Sequence, residues 1–197
     1  MLAPAFDDPA LASQAVFRTV MEAIARPGLA RPLASGLVPP PPLRATAAAV
    51  ALTLLDYETL FWLDHGLAEA GEVAAWLKFH TGAPQTVDST QAAFAFVSDS
   101  AAMPPFDAFS LGSLEYPDRS TTLVVQVETL DQGDGLVLSG PGVSGTRLFS
   151  AAPLPAGFRT QLIANREMFP RGVDLVLVSE TAVVALPRSV RVAIQGD

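Results

Sequence analysis

The stretch that decides the fold is Val173-Asp174-Leu175-Val176-Leu177-Val178, a nearly continuous apolar run. Such a run is typical of a strand that is buried on both faces and lies within a covered sheet. Working outward, Phe158, Leu162 and Ile163 recur at helical spacing ahead of it, so a helix is predicted to begin at Pro155. This pairing of helix and buried strand predicts an α/β protein.

Further strands are predicted on both sides of this unit. They cover residues 60–63, 92–97, 121–127, 136–139, 182–186 and 190–194. The strands 121–127 and 136–139 are joined by residues 131–135, which have ordinary turn chemistry. The two strands that follow Val178 are expected to complete the same sheet, and several neighbouring strands resemble hairpins. A mixed sheet is therefore predicted.

Three more helices are predicted to cover this sheet on both sides. The first begins with Asp8 as N-cap and Pro9 in the first turn, and Arg26-Pro27-Gly28 ends it. Its wide apolar face contains Ala12, Val16, Val20 and Ile24, flanked by Phe17 and Met21. The other two helices are predicted over residues 43–55 and 67–79.

The composition bounds the classes of function. A length of 197 residues predicts a single domain over residues 1–197. The net charge of −8 argues against nucleic acid or an acidic membrane surface as a partner. The absence of cysteine removes thiolate metal sites and cysteine nucleophiles. The first residues lack the basic start and apolar run of a signal peptide, so a cytoplasmic location is expected.

The familiar catalytic and cofactor motifs are not found in the settings they require. Gly140-Pro141-Gly142-Val143-Ser144-Gly145 matches the glycine pattern of dinucleotide sites, but an extended segment follows it where a helix is needed. A plain β-turn is predicted there instead. The P-loop and nucleophile-elbow motifs are absent, and the spacing of His65 and His80 does not suit a metal. No catalytic residue, metal or cofactor is predicted.

Candidates for anion or partner binding are the basic residues at element ends. They are Lys78, His80, Arg119, Arg171 and Arg188. Arginine forks match phosphate, phosphonate and carboxylate groups. The same forks could form structural ion pairs with Asp118, which directly precedes Arg119, or with Asp174, which lies three residues after Arg171.

The pair Lys78 and His80 has local alternatives as well. Lys78 could form a Schiff base with an aldehyde cofactor, or it could simply favour the dipole of the helix it ends. His80 could contact an anion, or it could belong to a helix end at which Gly82 takes the left-handed position.

An ordered set of short motifs resembles one family. The set comprises Phe17-Arg18 with Met21, Ala25-Arg26-Pro27-Gly28, Leu52-Thr53-Leu54-Leu55-Asp56, Phe61-Trp62-Leu63, Phe79-His80-Thr81-Gly82-Ala83-Pro84, Phe169-Pro170-Arg171-Gly172-Val173-Asp174 and Leu186-Pro187-Arg188. From about residue 11 to residue 191, the chain resembles the PhnH family, a component of the bacterial carbon–phosphorus lyase core complex.

The resemblance implies a three-layer α/β/α fold with a mixed sheet, similar to the large domain of pyridoxal-phosphate-dependent transferases but without that cofactor. It implies a homodimer that joins the G, I and J subunits of the complex. The pathway attaches an alkylphosphonate to the ribose of ATP and displaces adenine, which yields α-D-ribose 1-methylphosphonate 5-triphosphate from methylphosphonate. No catalytic residue of the family is carried over to this chain.

Three functional hypotheses follow. The first is an accessory subunit, without an active site of its own, that shapes the complex. The second is a small-molecule transferase with a site near Lys78, His80 and Arg171. The third is an anion-binding protein that uses Arg119, Arg171 and Arg188.

Overall fold

The computed structural model describes residues 3–133 and 135–193. Helix α1 (Pro9–Ala25) begins as predicted, because Asp8 Oδ1 accepts a hydrogen bond from the Leu11 amide at 3.1 Å and proline lies in the first turn. The predicted apolar face is divided. Val16 and Val20 are buried, whereas Phe17 and Met21 remain 49% and 46% exposed. Part of the face therefore packs on the core and part remains available to a partner.

The strands, in chain order, are β1 (Arg31–Pro32), β2 (Phe61–Leu63), β3 (Phe94–Val97), β4 (Thr122–Gln126), β5 (Leu136–Ser139), β6 (Arg147–Phe149), β7 (Asp174–Val178), β8 (Ala182–Leu186) and β9 (Arg191–Ala193). Six of them form the central sheet in the order β1-β8-β7-β4-β3-β2. Strands β2, β3, β4 and β7 are parallel, whereas β8 pairs antiparallel with both β7 and β1. The predicted α/β class with a mixed sheet is confirmed.

Two apolar cores lie on the two faces of this sheet. Val176 of β7 and Val124 of β4 belong to the core shared with α1, α2 (Ala45–Leu54), α3 (His65–Glu69) and α4 (Glu72–Thr81). Leu175 and Leu177 of β7 belong to the second core, which contains Phe158 of α5 (Phe158–Glu167). Side chains alternate between the faces of a strand, so the continuous apolar run at residues 173–178 serves both cores.

Two helix predictions are wrong in detail. The single helix predicted over residues 67–79 is two helices, α3 and α4, which meet at Ala70 and Gly71. Gly71 is the N-cap of α4, a position that glycine tolerates better than a helix interior. Helix α5 begins at Phe158 rather than Pro155, after Gly157 in the left-handed conformation.

The second sheet corrects another prediction. Strands β5, β6 and β9 form a separate antiparallel sheet in the order β6-β5-β9, so residues 136–139 and 190–194 do not extend the central sheet. Leu138 and Phe149 of this small sheet belong to the second core, which explains their apolar character. The predicted turn at residues 140–145 is confirmed as the link between β5 and β6. Asp134 of the predicted join and Ile194 lie outside the described residues.

Candidate functional site

Arg188 lies where the motif 186–188, the motif 169–174 and the segment 117–120 meet. Its Nε is 3.1 Å and 3.2 Å from the two carboxylate oxygens of Asp174, and Nη2 also pairs with this carboxylate. Nη1 donates to the carbonyls of Pro117 and Pro170, and Nη2 donates to Ser120 Oγ. A guanidinium has five N–H groups, and all of them have partners here. The Arg188 fork is therefore committed to contacts inside the chain.

These contacts join segments that are far apart in sequence. Asp174 begins β7 beside Thr122, the first residue of β4. Pro117 and Ser120 precede β4, and Pro170 lies between α5 and β7. The network thus ties together the amino ends of the two central strands. It explains structurally why proline, arginine and aspartate recur at these element ends.

Gly172, in the same segment, has no room for a side chain. Its φ of +125° is in the region that favours glycine, and a Cβ would lie 2.5 Å from Asn165 Oδ1. Asn165 is buried and cannot move freely, because its Nδ2 and Oδ1 each make a 2.9 Å hydrogen bond to the backbone of Val173.

We expect Gly172→Ala to lower the free energy of unfolding by about 2–4 kcal/mol, from strained backbone and the clash with Asn165. Gly36→Ala is the matched control, since Gly36 also has a positive φ of +64° but nothing lies within 4 Å of its Cβ position. The control should cost only about 1 kcal/mol. Urea unfolding of both variants measures the difference, and equal losses would contradict the role of Asn165.

Arg119 and Arg171 are less committed than Arg188. The Arg119 guanidinium lies 4.2 Å from the centre of the Tyr116 ring, a cation–π contact at the surface. Arg171 is half-buried, and its Nε is enclosed without a hydrogen-bond partner. Within the described ranges, neither side chain is paired with a carboxylate. The two guanidinium groups are therefore not neutralised by a carboxylate within these ranges.

Lys78 and His80 lie in the last turn of α4. Lys78 is exposed. His80 Nε2 is 3.0 Å from the carbonyl oxygen of Ala3, which also accepts a hydrogen bond from Trp76 Nε1 at 2.7 Å. His80 thus helps to hold the N-terminal segment against α4. Gly82 ends the helix with a φ of +72°, which confirms the predicted left-handed position.

The five predicted residues do not form one contact network. Arg188 joins the segment that contains Arg119 and the segment that contains Arg171. Lys78 and His80 lie on α4, and over residues 3–133 and 135–193 no side-chain hydrogen bond or ion pair connects them to the three arginines.

A polar cavity that the sequence did not reveal lies at the opposite, carboxyl ends of β3 and β4. Its volume is about 150 Å³, and its lining includes Arg44, Ser98, Asp99, Ser100, Gln126 and Glu128. Ser98 and Asp99 directly follow β3, and Glu128 follows β4 closely. The sequence feature that could have indicated this cavity is the set of polar residues just after two buried parallel strands, since ligand sites often lie at this edge of an α/β sheet.

Asp64 fixes one wall of this cavity. Its buried carboxylate accepts hydrogen bonds from the amides of Ser98 at 2.6 Å, Asp99 at 3.0 Å and Leu67 at 3.0 Å, and from Ser98 Oγ. The hydrogen bonds from Ser98 and Asp99 hold the turn after β3, and the hydrogen bond from the Leu67 amide caps α3. One carboxylate therefore couples the ends of β2 and β3.

Within residues 3–133 and 135–193, no cluster of three or more histidine, cysteine, aspartate or glutamate side chains is arranged to hold a metal. In the same part of the chain, no helix is long and apolar enough to cross a membrane.

Comparison with known proteins assigns the family. Residues 4–193 match the family described as bacterial phosphonate metabolism protein (PhnH). The chain is 46% identical over 187 residues to the α-D-ribose 1-methylphosphonate 5-triphosphate synthase subunit PhnH of Rhizobium meliloti (strain 1021), covering 95% of this chain and 93% of the relative. It is 36% identical over 86 residues, 44% of each chain, to a protein of Stutzerimonas stutzeri named provisionally as the C-P lyase subunit HtxG. The chain belongs to the PhnH family of bacterial phosphonate metabolism proteins.

Proposed function

We propose that this chain is a subunit of the carbon–phosphorus lyase system, required to form α-D-ribose 1-methylphosphonate 5-triphosphate from ATP and methylphosphonate. The observation that carries the proposal is the 46% identity to a synthase subunit over nearly the whole length of both chains. The chain contributes structure and partner contacts rather than catalytic groups. In support, every N–H group of the Arg188 guanidinium donates to an acceptor inside the chain.

The proposed partners are a second copy of the chain and the G, I and J subunits, in the cytoplasm, where ATP is available. Two surfaces support such contacts. On α1, Phe17 and Met21 present exposed apolar area of the kind found at interfaces. At the amino ends of β4 and β7, Arg119 and Arg171 form no ion pair within the described residues, so their guanidinium groups can pair with carboxylates of another subunit.

We also propose that residues 1–197 form one domain, an α/β/α sandwich related to the large domain of pyridoxal-phosphate-dependent transferases. The two cores on opposite faces of one mixed sheet support this arrangement. The only lysine, Lys78, lies exposed at the end of α4. Lysines that form Schiff bases lie in desolvated pockets, whereas Lys78 is exposed, so its position supports a fold without the cofactor.

The experiment that tests the function is adenine release from ATP and methylphosphonate by the reconstituted G and I subunits together with a further subunit of the same system, L, with and without this chain. We expect release to depend on the chain, and the chain alone to release none. Release that is unchanged in its absence would overturn the proposal.

The transferase alternative is tested in the same assay. The other subunits are supplied in excess, so that a weakened contact at Arg171 does not limit assembly. Under these conditions Lys78→Ala, His80→Ala and Arg171→Ala should leave adenine release within about twofold of the unmodified chain, because none is assigned a chemical role. A loss of a hundredfold or more in a folded variant is the size expected for a general acid–base residue. Such a loss would favour the transferase hypothesis over the accessory subunit.

A further inference from the structure

The cavity at the carboxyl ends of β3 and β4 lies beside a crevice opened by the chain path. After β2 the chain enters α3, whose Leu67 belongs to the first core. After β3 it crosses to the other face of the sheet, where Met103 and Phe106 belong to the second core. The connections therefore leave toward opposite faces between β2 and β3, which is the kind of crevice in which α/β proteins bind ligands, and the cavity lies at the adjacent strand pair, β3 and β4.

The cavity wall is held in place by buried polar groups. Gln126 is 3% exposed, and its Oε1 accepts a hydrogen bond from the Arg44 amide at 2.6 Å while its Nε2 donates to the Pro42 carbonyl at 3.1 Å. Ser100 is 2% exposed and donates to the Pro153 carbonyl at 2.8 Å. These contacts cross between distant segments, so the lining is fixed before a ligand arrives. Preorganisation of this kind lowers the cost of binding.

The charges in the lining are not matched with one another. The Arg44 guanidinium donates to the Val127 carbonyl, but no carboxylate oxygen in the described part of the chain lies within 4.0 Å of it. Asp99 and Glu128 line the same cavity. Glu128 makes no side-chain hydrogen bond there, and Asp99 uses one oxygen, Oδ1, for the amides of Ala101 and Ala102. The Arg44 guanidinium and the carboxylates of Asp99 and Glu128, which still have free acceptor oxygens, therefore line a cavity of about 150 Å³.

We propose that this cavity binds a sugar group that carries a phosphorus oxyanion, either phosphate or phosphonate. Arg44 binds the oxyanion, and Asp99 and Glu128 accept hydrogen bonds from the sugar hydroxyls. Arginine matches tetrahedral oxyanions, and acidic side chains bind ribose hydroxyls in nucleotide sites.

The size and surroundings of the cavity agree with this ligand. A volume of about 150 Å³ is below the range of roughly 300–1,000 Å³ for drug-sized ligands, so the site suits a sugar phosphate rather than an entire nucleotide. Arg44 is the N-cap of α2, which no side chain caps, and the positive end of a helix dipole adds to the attraction for an anion. The proposal rests on the proposed function, since the product named for the synthase relative is a ribose bearing phosphonate and phosphate groups.

Isothermal titration of the isolated full chain with ribose 5-phosphate tests the site. We expect saturable binding that Arg44→Gln weakens at least tenfold and Glu128→Gln weakens about threefold to tenfold. Arg18→Gln, an exposed arginine on α1, removes the same charge and should leave binding unchanged. Circular dichroism checks that each variant is folded. If Arg44→Gln does not fold, Glu128→Gln still tests the site.

Ribose, methylphosphonate and inorganic phosphate, each titrated alone, identify the ligand. Each should bind at least tenfold more weakly than ribose 5-phosphate. Inorganic phosphate that binds as tightly as the sugar phosphate would overturn the assignment of the carboxylates. No saturable binding of ribose 5-phosphate at roughly 10 mM would overturn the site altogether. Adenine release is a separate readout, so failure of the site and failure of the proposed function are distinguished.

Discussion

Replacement of Arg188 by alanine is expected to lower the free energy of unfolding by about 3–5 kcal/mol. The Arg188 and Asp174 side chains are only 14% and 28% exposed. Removing the cation therefore leaves a mostly buried carboxylate without a counter-ion, which keeps only the hydrogen bond from the backbone amide of residue 188 at 2.8 Å. The change also removes the donors to the Pro117 and Pro170 carbonyls, which hold two connecting segments together. Urea unfolding followed by circular dichroism measures the loss.

Two comparison variants separate the contributions to this loss. Arg188→Lys keeps the charge but cannot reproduce the planar fork, so we expect an intermediate loss. Arg191→Ala removes an exposed arginine nearby in sequence and should change stability by less than about 0.5 kcal/mol. A loss below about 1 kcal/mol for Arg188→Ala, the size of an exposed ion pair, would show that the network is not a structural centre. It would also restore Arg188 as a candidate for anion binding.

Replacement of Asp64 by alanine is expected to lower the free energy of unfolding by about 3 kcal/mol. Its carboxylate accepts from the amides of Leu67, Ser98 and Asp99, and hydrogen bonds to a charged group contribute about 1.5–3 kcal/mol each. Alanine leaves the buried Leu67 amide without an acceptor and removes the cap of α3. Water can replace the acceptor at the partly buried amides of Ser98 and Asp99, so the expected loss is smaller than the sum of the three bonds. Urea unfolding measures this effect. Calorimetry should show weaker ribose 5-phosphate binding, because the turn at Ser98 and Asp99 loses its support.

Asp64→Asn is the conservative comparison. Its amide oxygen can still accept one or two of these hydrogen bonds, but the amide nitrogen would face an N–H donor. We expect a loss between zero and that of the alanine variant. If both variants were as stable as the unmodified chain, the turn after β3 would be held by other contacts, and the preorganisation of the cavity would need another explanation.

Local features of the fold could be predicted because short stretches of chain decide them. Asp8 caps α1 through an amide three residues away, and Gly82 ends α4 because it tolerates a positive φ. The central strand 173–178 could be recognised because burial on both faces demands apolar side chains at nearly every position. The alternative of a structural ion pair is confirmed for Arg188, whose partner Asp174 is one of the two aspartates named as possible partners.

The division into two sheets could not be predicted. An alternating or apolar strand indicates that a face is buried, but it does not indicate which strand is its neighbour. Thus the strand predicted over residues 190–194 was expected to complete the central sheet, yet β9 pairs with β5 in the small sheet. Likewise, the residues of the predicted helix 67–79 are helical on both sides of Gly71, and only packing determines whether the chain turns there.

By itself, the sequence determined the α/β class, the start of α1 and the end of α4, the absence of familiar catalytic motifs and the resemblance to the PhnH family, because these depend on local chemistry and on the order of motifs. Only the tertiary structure decided which charged residues act together. It commits Arg188 to Asp174, and it brings Arg44 to Gln126, 82 positions away, at a polar cavity. Contacts at such separations arise from strand order and from the face each connection crosses, which no local pattern encodes.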